Sequence, residues 1–150
     1  MIRILFVCHG NICRSPMAEF VMKHLVAEQH LDNQFEIASA ATSTEEIGNP
    51  VYPPARRELN SHGIECNGHH ARQMTTDDYD YYDYIIAMDH YNLRNMQRFV
   101  GNDSEGKVSL LMNWTDNPHD VADPWYTGDF RLTWQDIWQQ PYSVRPAPSK

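Results

Sequence analysis

The sequence has few cysteines and lacks any long apolar run. Its 150 residues include 3 cysteines, an odd number that argues against the disulfide framework of a small secreted protein and favours reduced thiols. The longest apolar run covers only residues 4–7, which is far too short for a signal peptide or a membrane span. We therefore expect a cytoplasmic protein without a membrane span, in which a thiol is available for chemistry.

Basic residues are also in short supply. The chain carries 12 Lys and Arg against 20 Asp and Glu, which gives a formal net charge of −8. Sequence-independent binding to nucleic acid requires a basic surface, so this composition argues against a nucleic-acid partner. A chain of this length is expected to form one domain, which can bury a continuous core without metal or disulfide support.

Four short apolar segments alternate with helical patterns along the chain. Strands are predicted at residues 1–8, 35–39, 83–88 and 107–112. One helix is predicted to begin near Ser15, and two more cover residues 54–62 and 91–99. The apolar face of a last helix is formed by Phe130, Trp134, Ile137 and Trp138.

This alternation predicts an α/β fold of one domain. The expected core is a four-stranded parallel sheet flanked by helices on both faces, of the flavodoxin-like or Rossmann-like type. Pro141 should end the last helix, so the domain is predicted to span residues 1–140 and residues 141–150 to be a disordered tail or a cloning remnant. Ligands of such sheets bind where strand carboxyl ends meet helix N-termini, and the turn after the first strand is one of these places.

The loop after the first strand combines a thiol, an arginine and a hydroxyl. It consists of Cys8, His9, Gly10, Asn11, Ile12, Cys13, Arg14 and Ser15. A short loop before a helix directs backbone N–H groups inward and, with the helix dipole, forms a cradle for an anion such as phosphate. The same field stabilises a thiolate at Cys8, and the planar guanidinium of Arg14 suits two phosphoryl oxygens. These residues predict a phosphatase with a cysteine nucleophile.

The segment from Val7 to Glu19 resembles the phosphate-binding loop of the low-molecular-weight protein-tyrosine phosphatases. Later segments resemble further blocks of that family in the same order, namely residues 39–43, 48–50, 69–73, 83–89, 92–93 and 123–126. The resemblance implies a metal-independent enzyme without a cofactor, which acts on phosphotyrosine-containing proteins as a monomer or weak dimer. The family usually ends in a longer final helix than the one that Pro141 permits here.

An acid is needed beside the nucleophile. Tyrosine has a pKa near 10, so its oxygen must be protonated as the P–O bond breaks. Asp123 lies before Pro124, where an aspartate most often serves a turn, but the resemblance implies that it is the general acid and base.

Four further residues are assigned to a supporting shell by the resemblance alone. These are Asn11, Ser15, Ser39 and His69. A loop that turns its N–H groups inward is strained, and side chains behind it would keep those donors aimed at the transition state. The resemblance also gives Ser15 a role in departure of the Cys8 thiolate. From spacing alone, simpler roles remain open: a turn residue for Asn11, a helix cap for Ser15 and a surface histidine for His69.

The substrate pocket is predicted to have an apolar wall. Ile12 suits the flat face of a phenyl ring, and Trp125 and Tyr126 follow the predicted acid. Glu45 belongs to the same wall by resemblance, although some relatives carry an aromatic residue there. Tyr126 could instead be a phosphorylation target. The tyrosines of residues 77–84 could likewise form an acidic phosphorylation site, but packing against the protein is favoured for them.

The two other cysteines have separate interpretations. Cys13 is implied by the resemblance to be a redox partner that forms a reversible disulfide with Cys8, and the alternative is a buried, inert thiol. Cys66 looks incidental.

Several other functions remain open. A phosphoarginine phosphatase is one, although those relatives carry threonine where Ile12 stands, and an arsenate reductase is another, although no relay cysteine follows Cys66. A zinc-stabilised interaction module would use Cys8, Cys13, Cys66 and His69 as ligands. A phosphate-binding protein without turnover is the last alternative.

Overall fold

The fold is built on a parallel sheet of four strands. The computed structural model describes residues 1–139. Its strands are β1 Ile2–Cys8, β2 Phe35–Ala41, β3 Tyr84–Ala87 and β4 Val108–Leu110. Every neighbouring pair is parallel and the order is β2-β1-β3-β4, which confirms the predicted sheet. The fourth strand is shorter than predicted because the chain enters a 3-10 turn at Leu111–Trp114.

Six α-helices connect and follow these strands in the described residues. They are α1 Arg14–Glu28, α2 Pro53–Ser61, α3 Thr76–Tyr81, α4 His90–Val100, α5 Pro124–Thr127 and α6 Phe130–Trp138. The four longer helices lie where the sequence predicts them. Two short ones, α3 and α5, were not predicted. Both begin with side-chain caps, in α3 a capping box between Thr75 and Asp78 and in α5 the carboxylate of Asp123.

The sheet separates two apolar cores, which confirms that helices cover both faces. Successive residues of β1 point to opposite faces, so Ile4 and Phe6 enter one core while Leu5 and Val7 enter the other. Helices α1, α2 and α6 cover the first core, whereas α3 and α4 cover the second. This arrangement buries β1 from Ile4 to its last residue, Cys8.

Helix α6 attaches to the first core through its aromatic face. Trp134 and Ile137 are buried, and Phe130 and Trp138 are partly buried and pack against the same core, as predicted. The indole of Trp134 stacks on the ring of His62 with centroids 3.7 Å apart. The predicted stop at Pro141 and the predicted tail at residues 141–150 lie outside the described residues.

The tyrosine-rich segment before β3 is only partly packed. Tyr79 and Tyr82 are buried, but Tyr81 and Tyr84 keep 46% and 40% of their surface exposed. The expected packing therefore holds for two of the four rings. Within residues 1–139, no helix combines the length and the apolar character that crossing a bilayer requires.

Candidate active site

Cys8 lies at the carboxyl end of β1, where the loop turns into α1. Only 3% of its surface is exposed. Its Sγ accepts a hydrogen bond from the backbone N–H of Asn11 at 3.3 Å and lies 3.0 Å from the Ser15 Oγ. A thiolate at this position would therefore have two donors, one from the loop and one from the first turn of α1.

Asn11 joins the loop to its surroundings. Its φ of +61° lies in the left-handed region, which few side chains adopt and which asparagine tolerates. Its Nδ2 donates to the Oγ atoms of Ser15 and Ser39, each at 2.8 Å, and its Oδ1 accepts from the Arg72 N–H at 3.1 Å. The His69 Nε2 lies 2.7 Å from the Asn11 carbonyl oxygen. The structure thus brings all four predicted shell residues together behind the loop.

Glu19 extends this network, although sequence reasoning missed it. Its buried carboxylate accepts a hydrogen bond from the Ser39 Oγ at 2.5 Å and lies 2.6 Å from the Lys23 Nζ. A continuous path of hydrogen bonds therefore runs from Lys23 on the surface to the Cys8 Sγ. The available signal was the i, i+4 spacing from Ser15, which places Glu19 on the same face of α1.

Arg14 is buried beside the thiol and held by two carboxylates. Its exposed fraction is 3%, and its Nη1 donates to the Asp89 Oδ2 at 2.7 Å and to the Val121 carbonyl at 3.0 Å. Its Nη2 lies 3.4 Å from the Asp123 Oδ2. Burial alone would lower the pKa of Arg14, but the negative charges of Cys8, Asp123 and Asp89 raise it. The guanidinium is a permanent cation in a fixed orientation.

Asp89 was also missed as a site residue. It follows β3 directly and caps α4, where its Oδ1 accepts from the Asn92 N–H at 2.8 Å while its Oδ2 binds Arg14. In the sequence it resembles an ordinary helix cap. Its place after a parallel strand was the available signal, because the carboxyl ends of β1 and β3 meet at one edge of the sheet.

Asp123 contacts the guanidinium of Arg14, with its Oδ2 3.4 Å from the Arg14 Nη2. Its Oδ1 accepts from the Trp125 N–H at 3.0 Å as the cap of α5, and 28% of its side chain is exposed. The preceding residues are fixed by two backbone contacts: the Val121 N–H donates to the Met88 carbonyl at 2.9 Å, and the Ala122 carbonyl accepts from the Thr133 Oγ1 at 3.0 Å. The candidate acid is thus held beside the guanidinium and remains open to solvent.

The predicted wall residues occupy three different environments. Trp125 and Tyr126 are 60% and 86% exposed on α5. Ile12 is buried in a small cluster with Cys13 and Ala71 and lies beneath the surface. The exposed Glu45 pairs with His9, whose Nε2 lies 3.1 Å from the Glu45 Oε2.

Tyr52 is an aromatic residue near the site that sequence reasoning missed. Its ring lies 5.2 Å from that of Trp125 and 6.1 Å from that of Phe130. The signal was an aromatic side chain directly before the two prolines that begin α2.

The three cysteines are free thiols in distinct surroundings. Burial, the charges of Cys8 and Asp123, and a smaller effect of Glu46 raise the pKa of Cys13 to about 12. Burial also raises the pKa of Cys66. No group of three or more His, Cys, Asp and Glu side chains in residues 1–139 is arranged to hold a metal ion. The zinc site that the interaction-module alternative requires is therefore not formed by Cys8, Cys13, Cys66 and His69.

Comparisons with known proteins agree with this geometry. The family model described as low molecular weight phosphotyrosine protein phosphatase matches residues 3–141. The chicken protein of that name is 44% identical over 126 residues, which cover 82% of this chain and 79% of the chicken protein.

Two solved structures extend the comparison. The crystal structure of YfkJ from Bacillus subtilis is similar with a TM-score of 0.92 and 37% identity, and the match covers 96% of this chain and 92% of YfkJ. The crystal structure of a Drosophila arginine phosphatase is similar with a TM-score of 0.85 and 28% identity, covering 95% of each chain.

Proposed function

We propose that this chain, which belongs to the low molecular weight phosphotyrosine protein phosphatase family, hydrolyses phosphotyrosine in proteins through a phosphocysteine intermediate. One observation carries the proposal. The Arg14 Nη2 lies 3.4 Å from the Asp123 Oδ2, so a phosphate-binding arginine and a candidate acid 109 residues apart in the chain meet beside the Cys8 thiol. A nucleophile, a cation for the phosphoryl group and a proton donor are the three parts that this reaction needs.

In the first step, the Cys8 thiolate attacks phosphorus and the bond to the tyrosine oxygen breaks. Arg14 stabilises the charge that spreads over the phosphoryl oxygens, together with backbone N–H groups of the loop. Asp123 gives its proton to the departing phenolate oxygen. The products of this step are a neutral tyrosine and a phosphocysteine at Cys8.

In the second step, Asp123 takes a proton from a water molecule, and the resulting hydroxide attacks phosphorus. The S–P bond breaks and inorganic phosphate leaves, which restores the Cys8 thiolate and the protonated Asp123. The Ser15 Oγ, 3.0 Å from the Cys8 Sγ, supports this departure because it can donate a hydrogen bond to the developing thiolate.

The remaining residues position these three. Asn11, Ser39 and His69 hold the loop through the hydrogen bonds described above, and Trp125 and Tyr126 flank the phenyl ring of the substrate. Glu45 faces the flanking residues of the substrate, together with its partner His9. Ile12 supports the wall from beneath its surface.

Cys13 has a proposed protective role. Oxidation of Cys8 to a sulfenic acid would be followed by attack of the Cys13 thiol, which forms a disulfide and releases water. The test is treatment with peroxide followed by dithiothreitol. The wild type and the control Cys66→Ser should regain activity, whereas Cys13→Ser should regain much less. Equal recovery of all three proteins would rule the disulfide out.

The setting of the reaction is proposed on general grounds. Three free thiols, one of them the nucleophile, suit a reducing compartment, so we place the enzyme in the cytoplasm. Its partners would be phosphotyrosine-containing proteins, and we expect it to act as a monomer or weak dimer.

The test of the main proposal is hydrolysis of p-nitrophenyl phosphate and of a phosphotyrosyl peptide in the presence of EDTA. The wild type should turn over both substrates, Cys8→Ser should be inactive, and Asp123→Asn should lose about 100-fold or more in kcat/KM for the peptide. A folded but inactive wild type, or an active Cys8→Ser variant, would refute the mechanism and favour a phosphate-binding protein without turnover.

The same assay with a phosphoarginine peptide addresses the principal alternative substrate. Ile12 stands where phosphoarginine phosphatases carry threonine, so we expect the phosphotyrosyl peptide to be the better substrate. A higher kcat/KM for phosphoarginine would reverse this assignment while leaving the thiolate mechanism intact. Arsenate reduction is tested by adding arsenate and a thiol reductant, and no arsenite is expected.

A further inference from the structure

The loop before Asp123 is attached to two helices by histidine–carboxylate pairs. His119 reaches α6, where its Nε2 lies 2.9 Å from the Asp136 Oδ1. The next residue, Asp120, reaches α4, where its Oδ1 lies 2.7 Å from the His90 Nδ1. The two pairs differ in burial, since Asp136 is 7% exposed, whereas the side chains of His90 and Asp120 are 72% and 42% exposed. Only the pair at His119 involves a buried charge.

Both ring nitrogens of His119 face oxygen acceptors. The Nδ1 lies 2.6 Å from the carbonyl oxygen of Asn117, and the Nε2 faces the Asp136 carboxylate. A carbonyl oxygen and an ionised carboxylate can only accept hydrogen bonds. A neutral imidazole has one N–H and could satisfy only one of the two oxygens. The geometry therefore requires the doubly protonated, cationic ring.

Asp136 depends on this cation. It lies in the last turn of α6, where the helix dipole disfavours a negative charge, and in residues 1–139 its carboxylate has hydrogen-bond contact with His119 alone. Loss of one His119 proton would leave either this carboxylate or the Asn117 carbonyl oxygen without a donor. It would also remove the positive charge that balances the buried carboxylate of Asp136, and an uncompensated buried charge is costly.

The charged groups that face His119 are Asp136 on α6 and Asp120 in its own loop. Burial opposes the cationic ring, but hydrogen bonds to Asn117 and Asp136 and the charges of Asp136 and Asp120 raise the pKa of His119. The raised pKa agrees with the two-acceptor geometry. The cationic form is therefore retained at a higher pH than in a free histidine.

We propose that His119, bound to Asp136, is a positioning residue that holds the loop of Asp123 in its working place beside Arg14, and that this support weakens when the ring loses its proton. The inference rests on the proposed function, because it assumes that Asp123 protonates the leaving group. The connection is short: His119 is four residues before Asp123, and the intervening Val121 contacts Arg14 through its carbonyl oxygen.

Misplacement of an acid affects poor leaving groups more than good ones. Phenolate needs a proton as it departs, whereas the more stable p-nitrophenolate departs with less help. The ratio of kcat/KM for p-nitrophenyl phosphate to that for phenyl phosphate therefore reports how well Asp123 is placed. A variant that is merely less stable, or a preparation that is partly unfolded, lowers both values equally and leaves the ratio unchanged.

The experiment measures this ratio in the wild type, His119→Gln and Asp136→Asn. Glutamine can donate to one of the two acceptors but cannot become a cation. At about pH 6, we expect the ratio to be roughly fivefold higher in both variants than in the wild type. As the pH rises to about 9, the wild-type ratio should increase towards that of His119→Gln.

His24→Gln is the matched control, since His24 also pairs with a carboxylate, that of Glu28 on α1, and within residues 1–139 no hydrogen bond or ion pair joins it to the loop of Asp123. Its ratio should equal that of the wild type at every pH. If His119→Gln also has the wild-type ratio at low pH, the positioning role is wrong. That result differs from failure of the proposed function, in which the wild type is inactive or Cys8→Ser remains active.

A measurement without turnover tests the tether itself. NMR titration of the imidazole should place the His119 pKa above the ordinary value of about 6.5 in the wild type and lower it in Asp136→Asn. A His119 pKa at or below that of a free histidine in both proteins would overturn the proposal, whatever the kinetics show.

Discussion

The side of the site that carries the proposed nucleophile, Cys8, and the side that carries the proposed acid, Asp123, are held in different ways. On the nucleophile side, Asn11, Arg14 and Ser15 are at most 3% exposed, and hydrogen bonds from β2, α1 and the segment at His69 converge on the loop. On the acid side, Asp123 is partly open and is followed by the highly exposed Trp125 and Tyr126. In the proposed mechanism, the rigid side binds a group of constant shape, the phosphate, and the open side faces the variable part of the substrate.

The difference suggests that the two sides fail differently when they are altered. A buried loop with many partners should lose both chemistry and stability, because each side chain satisfies others that are out of reach of water. A capping aspartate at the surface should lose chemistry with little effect on stability.

Arg14→Lys provides the largest expected effect. Lysine keeps the charge but lacks the planar fork that binds two oxygens, so we expect kcat to fall about 1000-fold. The measurement is hydrolysis of p-nitrophenyl phosphate, with the exposed Arg57→Lys of α2 as the control. A loss of less than tenfold would mean that the charge of Arg14, rather than its shape, is what the site requires.

Asn11→Ala tests the strained centre of the loop. The substitution removes hydrogen bonds to buried partners and puts alanine at a φ of +61°, so the free energy of unfolding should fall by roughly 2–4 kcal/mol. Asn11→Gly removes the same hydrogen bonds without the steric cost, and should be about 1 kcal/mol more stable than Asn11→Ala. Urea denaturation measures both. Losses below 1 kcal/mol in each variant would show that the loop is less tightly determined than its contacts indicate.

Asp123→Asn should separate chemistry from stability on the acid side. Asparagine also caps helices, and the partly exposed ion pair with Arg14 is weak, so we expect the free energy of unfolding to change by less than about 1 kcal/mol. The same urea experiment applies, and Asp129→Asn, at the cap of α6, is the matched control. A larger loss confined to Asp123→Asn would remove the contrast between the two sides.

A second contrast, between elements with a regular apolar pattern and elements that depend on local caps, explains what could be predicted from the sequence. The four strands and the longer helices could be predicted because apolar residues recur at regular spacing and strands and helices alternate. The short helices α3 and α5 have few apolar residues and depend on the caps at Thr75 and Asp123, which periodicity does not detect. The two helices that were not predicted therefore form because of local capping.

The loop could be predicted because its chemistry is contiguous. Cys8 and Arg14 lie six positions apart, at the junction of a strand and a helix that can both be predicted from the sequence. Glu19 and Asp89 were not assigned, because their positions on a helix and after a strand also fit a surface residue and an ordinary cap. Their contacts with Ser39 and Arg14 are tertiary and distinguish them only in the fold. The burial of Ile12 could not be predicted either, because it depends on packing against Ala71 from a distant segment.

Cys13→Ser provides the smallest expected effect. Cys13 lies inside the rigid loop, but burial and the neighbouring charges raise its pKa to about 12, so it is a neutral thiol at neutral pH and cannot compete with Cys8 for an electrophile. We therefore expect the rate of inactivation by iodoacetamide, and kcat/KM, to stay within about twofold of the wild type. Mass spectrometry should find the label on Cys8 in both proteins. Early labelling of Cys13 would mean that this part of the loop opens to solvent, and the buried side of the site would then be less rigid than the comparison requires.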